Sequence, residues 1–223
     1  ARWLQIFSFT FQPSELLKIG YIIYLSTWLS GMKKHISSFT QGTLPFFGIV
    51  ALSGLVVLFQ PDTDTFMIMV LAGTALFLTA GGRWRDVFGL LLVSVALLAI
   101  LAFYRPYIMN RLTSFFDPAS DPQGKSYQIN QSLIATGSGG FSGRGFGQSI
   151  QKFEHLPEPI SDSIFAVYSE EFGFIGSTLL VLLFAFFAFR GYKIATEAND
   201  LFGMLLVVGF ITLIVAQAYL NIA

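Results

Sequence analysis

The residues best suited to chemistry are gathered in one long polar segment between two apolar stretches. The segment runs from Asn110 to Asp162, and its second half, Ile134–Asp162, reads IATGSGGFSGRGFGQSIQKFEHLPEPISD. Its glycines let the backbone turn freely and approach a ligand closely. Charged side chains of both signs lie among them: Arg144, Lys152, Glu154, His155, Glu158 and Asp162. We expect any reaction that the protein carries out to take place here.

Asp162 lies just before an apolar run, where a helix would enter the hydrocarbon layer. An ionisable group at that depth is a candidate functional residue, and burial would raise the pKa of Asp162 toward that of a useful general base. Asp162 or Ser161 can also serve as the N-cap of the helix that follows. On that helix Glu170 lies within a quarter turn of the face of Asp162, whereas Glu171 points away.

The glycine-rich run, Gly137–Gly147, contains no G-x-G-x-x-G pattern, so it is not a nucleotide-binding fingerprint. We expect a flexible loop whose amide groups face a pyrophosphate or a sugar, with Arg144, Gln148 and Lys152 beside them. An ordinary surface loop is the alternative interpretation. No second histidine is spaced with His155 to form a zinc pair.

Composition places this segment in a membrane protein. Of the 223 residues, 54% are hydrophobic and 12% are charged, and the mean hydropathy is +0.66. Soluble domains carry roughly a quarter charged residues. The formal net charge is zero and there is no cysteine, so neither a field that attracts nucleic acid nor a disulfide framework is expected.

The apolar runs predict an all-α polytopic membrane protein with about six transmembrane helices. A single membrane domain is expected over residues 1–223, with one large extracytoplasmic loop, residues 105–162. Because the second and third runs are shorter than about 20 residues, we expect their junction to dip into the protein. The six predicted runs are Ser14–Leu29, Leu44–Phe59, Phe66–Ala80, Val87–Tyr104, Ile164–Phe189 and Leu201–Ile222.

Two further charged features lie close to these runs. Asp62 follows the break at Pro61, where it either lines the cavity of the site or is a solvated turn residue. Glu15 and Lys18 lie one turn apart on the first helix, so they are expected to form a structural ion pair. Basic residues in alternate short loops, such as Arg83 and Arg85, predict which face is cytoplasmic and leave the long loop outside.

Several motifs, in order along the chain, resemble the SEDS family, the FtsW/RodA/SpoVE group of bacterial polytopic glycosyltransferases. They cover nearly the whole sequence, and their residues are more similar to those of FtsW than to those of RodA. The resemblance implies that three spans precede Ala1 and that one span follows Ala223. The motifs are FQPSE at Phe11–Glu15, QPD at Gln60–Asp62, YQ..QSLIA.GSGG with a later GxGFGQS.QK ending at Lys152, LPE at Leu156–Glu158, and EEFGFIG at Glu170–Gly176.

The resemblance also implies a function. Members of the family polymerise lipid II into glycan strands beside a class B penicillin-binding protein. The family's essential aspartate, in an LPE.HTDFIF pattern, falls on Asp162 in LPEPISDSIF. Lys152 and Glu154 match two further positions of the family loop. Departures from the pattern include Ile160 and Ser161 in place of His and Thr.

We therefore expect an inverting glycosyltransferase of cell division, located in the bacterial cytoplasmic membrane at the septum. Asp162 is the expected general base, and a divalent cation (Mg²⁺ or Mn²⁺) held near Glu154 and Asp162 is a candidate cofactor, with no metal ligand otherwise assigned. Expected partners are lipid II, the class B penicillin-binding protein, other divisome membrane proteins and membrane lipid, but not nucleic acid. A lipid II flippase and a divisome scaffold are the alternatives. The expected substrate-binding residues are Lys152, Glu154, Arg144, Gln148, Glu158, Asp62 and Glu170.

Overall fold

A computed structural model describes residues 4–6, 9–32, 35–60, 62–104, 109, 127–154 and 163–222. For residues 4–6, 9–11, 101, 104, 153 and 154 it describes the backbone alone. The regular secondary structure of the described residues is helical apart from one short antiparallel hairpin, which pairs Leu4 with Phe11. The elements are β1 (Leu4–Ile6), β2 (Phe9–Phe11), α1 (Pro13–Gly31), α2 (Leu44–Phe59), α3 (Thr63–Thr79), α4 (Trp84–Tyr104), α5 (Tyr127–Ser138), α6 (Gln151–Glu154), α7 (Ile164–Thr196) and α8 (Leu201–Ile222).

The six predicted runs coincide with the six long helices of the described chain, which confirms the all-α membrane fold. Both ends of α2 and α8 fall where the sequence predicts them. By length and hydropathy, three of the described helices can cross a membrane: Phe39–Phe59, Ile164–Thr196 and Leu201–Ile222. The first of these begins in a π-helical turn, Phe39–Thr43, that leads into α2.

Helix α7 extends beyond its predicted end at Phe189 to Thr196. Arg190 and Lys193 lie in its last turns, where positive charge is favourable at a helix C-terminus. The predicted single membrane domain consists of two compact units. One comprises Ala1–Ser94 with Phe187–Gln217, and the other comprises Val95–Phe186 with Ala218–Ala223.

Small residues let the helices of the first unit pack closely. A side chain at Gly209 on α8 would overlap Ile22 of α1, and one at Gly73 on α3 would overlap Tyr21. Such close approach through glycine is common between membrane helices. Beside these contacts the rings of Phe46 and Phe77 stack with their centroids 4.4 Å apart.

The two ends of the first unit are tied by polar contacts. At one end Thr43, before α2, donates its hydroxyl to Asp86 in the first turn of α4 at 2.6 Å. At the other end Asp62, which lies between α2 and α3, contacts the start of α1. The helices therefore run in alternating directions, as the predicted topology requires.

The second unit contains the described part of the long polar segment. Its core joins Ala135 of α5 to Ala166 and Val167 of α7, all buried. Gln128, at the start of α5, also donates to the hydroxyl of Ser163 at 3.4 Å. Helix α5 therefore lies against the first turns of α7.

Candidate functional site

Helix α7 is broken at Gly173, where the backbone turns to φ 65° and ψ −164°. An unbroken helix of 33 residues would be about 50 Å long, well beyond a hydrocarbon layer of about 30 Å. The 23 residues from Phe174 to Thr196 suffice to cross that layer. The first two turns, which carry Ser169, Glu170 and Glu171, thus belong to the polar segment.

The glycine-rich loop fills the break. The amides of Arg144 and Gly145 donate to the carbonyls of Glu170 and Glu171, both at 3.0 Å. In the other direction, the amide of Phe174 donates to the carbonyl of Gly140 at 2.9 Å. The loop therefore supplies partners for the backbone groups that the break leaves without helical ones, as irregular backbone near a membrane requires.

Three glycines make this contact sterically possible. A Cβ at Gly139 would overlap the carbonyl oxygen of Ser169, and one at Gly143 would overlap that of Glu171. A Cβ at Gly173 would overlap the amide nitrogen of Gly143. The glycine-rich sequence predicts a flexible loop with its amides facing a ligand. Instead, the amides of Arg144 and Gly145 bond to α7 itself.

Glu170 is the centre of this arrangement. Glu170 is fully buried, with 0% of its surface exposed. Its Oε2 accepts a hydrogen bond from the hydroxyl of Ser149 at 2.6 Å. Its Oε1 accepts from the hydroxyl of Ser138 at 3.3 Å and lies 3.3 Å from Nε of Arg144. The amides of Ile150 and Gln151 donate to Oε1 and Oε2, each at 3.3 Å. Because its own chain occupies both oxygens, Glu170 lacks the free acceptor that the expected substrate contact would need.

The other described candidates of the loop are less buried than Glu170. Arg144 has a side chain that is 38% exposed beside Glu170, and Gln148 is exposed. Lys152 is half-buried in α6, and its amide donates to the hydroxyl of Ser149 at 3.1 Å. Arg144 therefore contacts Glu170 directly, whereas the backbone of Lys152 is linked to it through Ser149.

Three expected site residues lie wholly or partly outside the described chain. Glu154 ends α6, and only its backbone is described. Glu158 and Asp162 lie among residues 155–162, outside the described residues. The neighbour of Asp162, Ser163, is buried and held by Gln128. Ser163 is also the N-cap of α7, since the amide of Val167 donates to its carbonyl at 3.2 Å, so the expectation that Asp162 or Ser161 caps this helix is wrong.

Asp62 lies in the first unit and is buried, so it is not a solvated turn residue. It caps α3 by accepting from the amide of Thr65 at 3.2 Å and from its hydroxyl at 2.9 Å. The amide group of Gln12 and the hydroxyl of Ser14 also donate to it, at 3.1 and 3.4 Å. Its contacts are thus those of a structural residue that joins the start of α1 to the turn before α3.

Lys18 is the most deeply buried basic side chain described in the first unit, at 2% exposure. Its ammonium group lies 2.8 Å from Oε1 of Glu15, whose side chain is 51% exposed, and donates to Oε1 of Gln217 at 3.0 Å. The predicted ion pair is confirmed, and α8 contributes a third member. A buried ammonium group needs such partners because its desolvation is costly.

This asymmetry in burial leads to a stability prediction. Glu15→Ala is expected to lower the thermal midpoint of the detergent-purified protein more than Lys18→Met. Glu15→Ala takes one partner from the buried ammonium group of Lys18 and leaves it Gln217. We expect this to lower the free energy of unfolding by about 1–3 kcal/mol. Lys18→Met removes the buried charge and leaves a carboxylate that water reaches. Glu197→Ala, at an exposed position, is the control, and a larger loss for Lys18→Met would contradict the prediction.

Sequence reasoning missed Ser138 and Ser149, which bind Glu170, and Gln217, which binds Lys18. Gln217 gave a usable signal because it is a polar residue within an apolar helix. The two serines gave none, since serine is common in loops for many reasons.

A metal site is not formed by the side chains that the structure describes: no three His, Cys, Asp or Glu residues among them gather closely enough. The two carboxylates expected to hold a cation, Glu154 and Asp162, are not among these side chains. The expected Mg²⁺ or Mn²⁺ therefore stays a prediction.

Comparison with known proteins gives consistent matches along the whole chain. The family described as "Cell cycle protein", FTSW_RODA_SPOVE, matches residues 1–223. Stage V sporulation protein E of Bacillus subtilis (strain 168) is 43% identical over 220 residues, which cover 99% of this chain and 60% of that protein. A protein of Geobacter sp. (strain M18) named "Probable peptidoglycan glycosyltransferase FtsW" is 34% identical over 223 residues, which cover 100% of this chain and 61% of that protein.

A solved structure matches as well, with a TM-score of 0.74 and 22% identity over 99% of this chain and 61% of that one. It is described as "Structural coordination of polymerization and crosslinking by a peptidoglycan synthase complex". At this identity the likeness shows the fold alone. The chain spans about 60% of the length of the curated relatives named above.

Proposed function

The chain belongs to the FtsW/RodA/SpoVE family of membrane proteins, and we propose that the full-length protein polymerises lipid II into peptidoglycan glycan strands. The observation that carries the proposal is the match over residues 1–223, together with an aspartate, Asp162, immediately before α7. Relatives from Geobacter and Thioalkalivibrio, 34% and 38% identical, are named as probable peptidoglycan glycosyltransferases.

In the proposed reaction the 4-hydroxyl of the acceptor sugar attacks the anomeric carbon of the donor. A new carbon–oxygen bond forms as the bond to the polyprenyl pyrophosphate breaks, which inverts the configuration. Asp162 accepts the hydroxyl proton as general base, a role worth about 10²–10⁴-fold in rate. The leaving pyrophosphate takes the negative charge, for which positive groups are needed nearby.

Arg144 and Lys152 are the proposed partners of the pyrophosphate. Both lie on the chain segment that Glu170 anchors, and the Arg144 side chain is 38% exposed although its Nε lies beside a carboxylate. Gln148, exposed between them, is a proposed contact for the sugar or the phosphate. Glu154 and Glu158 complete the proposed substrate contacts. A divalent cation near Glu154 and Asp162 would add positive charge, but no step depends on it here.

The protein is a multi-pass membrane protein, and we place the reaction on the extracytoplasmic side, where the long loop is expected. A class B penicillin-binding protein and other division proteins are its proposed partners, and the septum is its proposed location. The described charged side chains of the second unit lie at the start of α7, on the loop that contacts it and in α6. This arrangement supports an enzyme rather than a path open to both leaflets.

The experiment that tests this function uses the full-length protein with its cognate class B penicillin-binding protein in detergent. Labelled lipid II is supplied with a transpeptidase inhibitor, and glycan polymer is separated on a gel. We expect a ladder of polymer from the complex. Bound lipid II without polymer would overturn the enzyme proposal and favour transport or scaffolding.

A further inference from the structure

The Glu170 carboxylate joins three separate pieces of the second unit. Ser138 ends α5, Arg144 belongs to the glycine-rich loop, and Ser149–Gln151 leads into α6, yet all of them contact the same two oxygens. A carboxylate offers about four lone-pair sites, and five donors surround this one. Its acceptor capacity is therefore used by its own chain.

The position of Glu170 along the chain gives this contact its consequence. Glu170 lies on the second turn of α7, and Asp162 lies just before that helix. The contacts of Ser149, Ile150 and Gln151 with Glu170 hold the turn just before Lys152 against the start of α7. The Nε of Arg144 lies 3.3 Å from the same carboxylate. Both basic residues of the loop are therefore positioned by this contact.

We propose that Glu170 is a positioning residue for the glycosyl transfer proposed above. It contacts no substrate. It holds the turn of Ser149–Gln151 that leads into Lys152, and it holds the guanidinium group of Arg144. Lys152 and Arg144 are the proposed partners of the pyrophosphate. The expected effect on kcat depends on the proposed function, whereas the anchoring of the loop by Glu170 does not.

The variant Glu170→Gln tests the inference because it keeps the shape of the side chain. Its amide nitrogen is a donor, so it faces the hydroxyl and amide donors that the carboxylate accepts from. Glu171→Gln is the matched control. Glu171 is the adjacent residue, also buried, and its Oε1 has no hydrogen-bond partner in the described part of the chain. Both proteins are made full-length and assayed with the cognate penicillin-binding protein.

Two measurements are made on each variant. In the polymerisation assay we expect Glu170→Gln to lower kcat by about 10²-fold, as a misplacement of about 1 Å does, with a much smaller change in KM. In limited proteolysis we expect trypsin to cut faster after Arg144 and Lys152 than in the wild type. Glu171→Gln should match the wild type in both measurements.

Other outcomes overturn the inference. Wild-type kcat in Glu170→Gln would show that the reaction does not need this anchor, and a lower kcat with unchanged proteolysis would assign Glu170 a direct role instead. If Glu170→Gln does not fold, Ser149→Ala removes one of the five donors to Glu170 and the hydroxyl that accepts from the amide of Lys152, and we expect it to give intermediate changes in both measurements. Exposed Ser142→Ala is its control, and equal results for these two variants would overturn the inference.

The proteolysis result separates this inference from the proposed function. If the wild-type complex makes no polymer, the glycosyltransferase proposal fails. Faster cleavage of Glu170→Gln would then still support the anchoring of the loop, and unchanged cleavage would overturn it.

Discussion

Asp162→Asn is expected to abolish glycan polymerisation by the full-length protein while leaving its membrane insertion and its folding intact. The amide has the size of the carboxylate but cannot take a proton from the acceptor hydroxyl. The expected loss is about 10²–10⁴-fold, the usual contribution of a general base. The measurement is the labelled lipid II gel, with protein amount and thermal midpoint determined in parallel.

The structure separates catalysis from helix capping at this position. Ser163 is the N-cap of α7, because the amide of Val167 donates to its carbonyl at 3.2 Å, and Asp162 precedes this cap by one residue. Asp162→Asn, Asp162→Ser and Asp162→Ala should therefore all keep wild-type stability and lose activity.

The control is Asp64→Asn, which makes the same chemical change at an exposed position in the first turn of α3. It should polymerise lipid II at the wild-type rate. Polymerisation by Asp162→Asn within a few-fold of that rate would remove Asp162 from the role of base. A parallel loss of thermal midpoint would instead identify a structural residue.

Much of the fold was predictable because local signals mark the ends of the helices. Pro13 marks the start of the apolar run that forms α1, and Gln60 marks the end of the run that forms α2. The pairing of Glu15 with Lys18 followed from their spacing of three residues. Such features depend on residues close together in sequence, which a reading of periodicity captures.

The break in α7 was not predictable in the same way. Gly173 stands in EEFGFIG, where an isolated glycine is tolerated within a helix at a cost of about 1 kcal/mol. The positive φ of Gly173 breaks the helix and leaves backbone groups on both sides without helical partners. These groups bond to Gly140–Gly145, a loop thirty residues earlier in the chain. Helical spacing could place Glu170 on a face, but it could not show that the turn of Ser149–Gln151 covers that face.

For the same reason the glycine-rich run was predictable as a special backbone but not in its use. Glycine permits close approach to a ligand and to another backbone alike. Here the contact is with the backbone of Ser169–Gly173. The sequence contained the residues of the contact, but the partner is fixed only by the tertiary fold.

This use of glycine leads to the second large effect, expected from Gly143→Ala. The φ of Gly143 is 79°, and its Cβ would overlap the carbonyl group of Glu171, which is backbone and cannot move aside. To relieve the clash the loop must withdraw from α7, which breaks the bonds from the amides of Arg144 and Gly145. We expect a loss of about 2–4 kcal/mol of stability and of about 10²-fold in polymerisation.

Gly147→Ala provides a matched comparison within the same loop. Its φ is 76°, but a Cβ there would meet nothing within 4 Å. The two glycines have nearly the same positive φ, which costs an alanine about 1–2 kcal/mol, so the difference between the thermal midpoints and polymer yields of the variants reports the contact with α7. Gly147→Ala should remain active. Equal losses in the two variants would mean that backbone strain decides the effect, and that the loop does not depend on the break in α7 for its position.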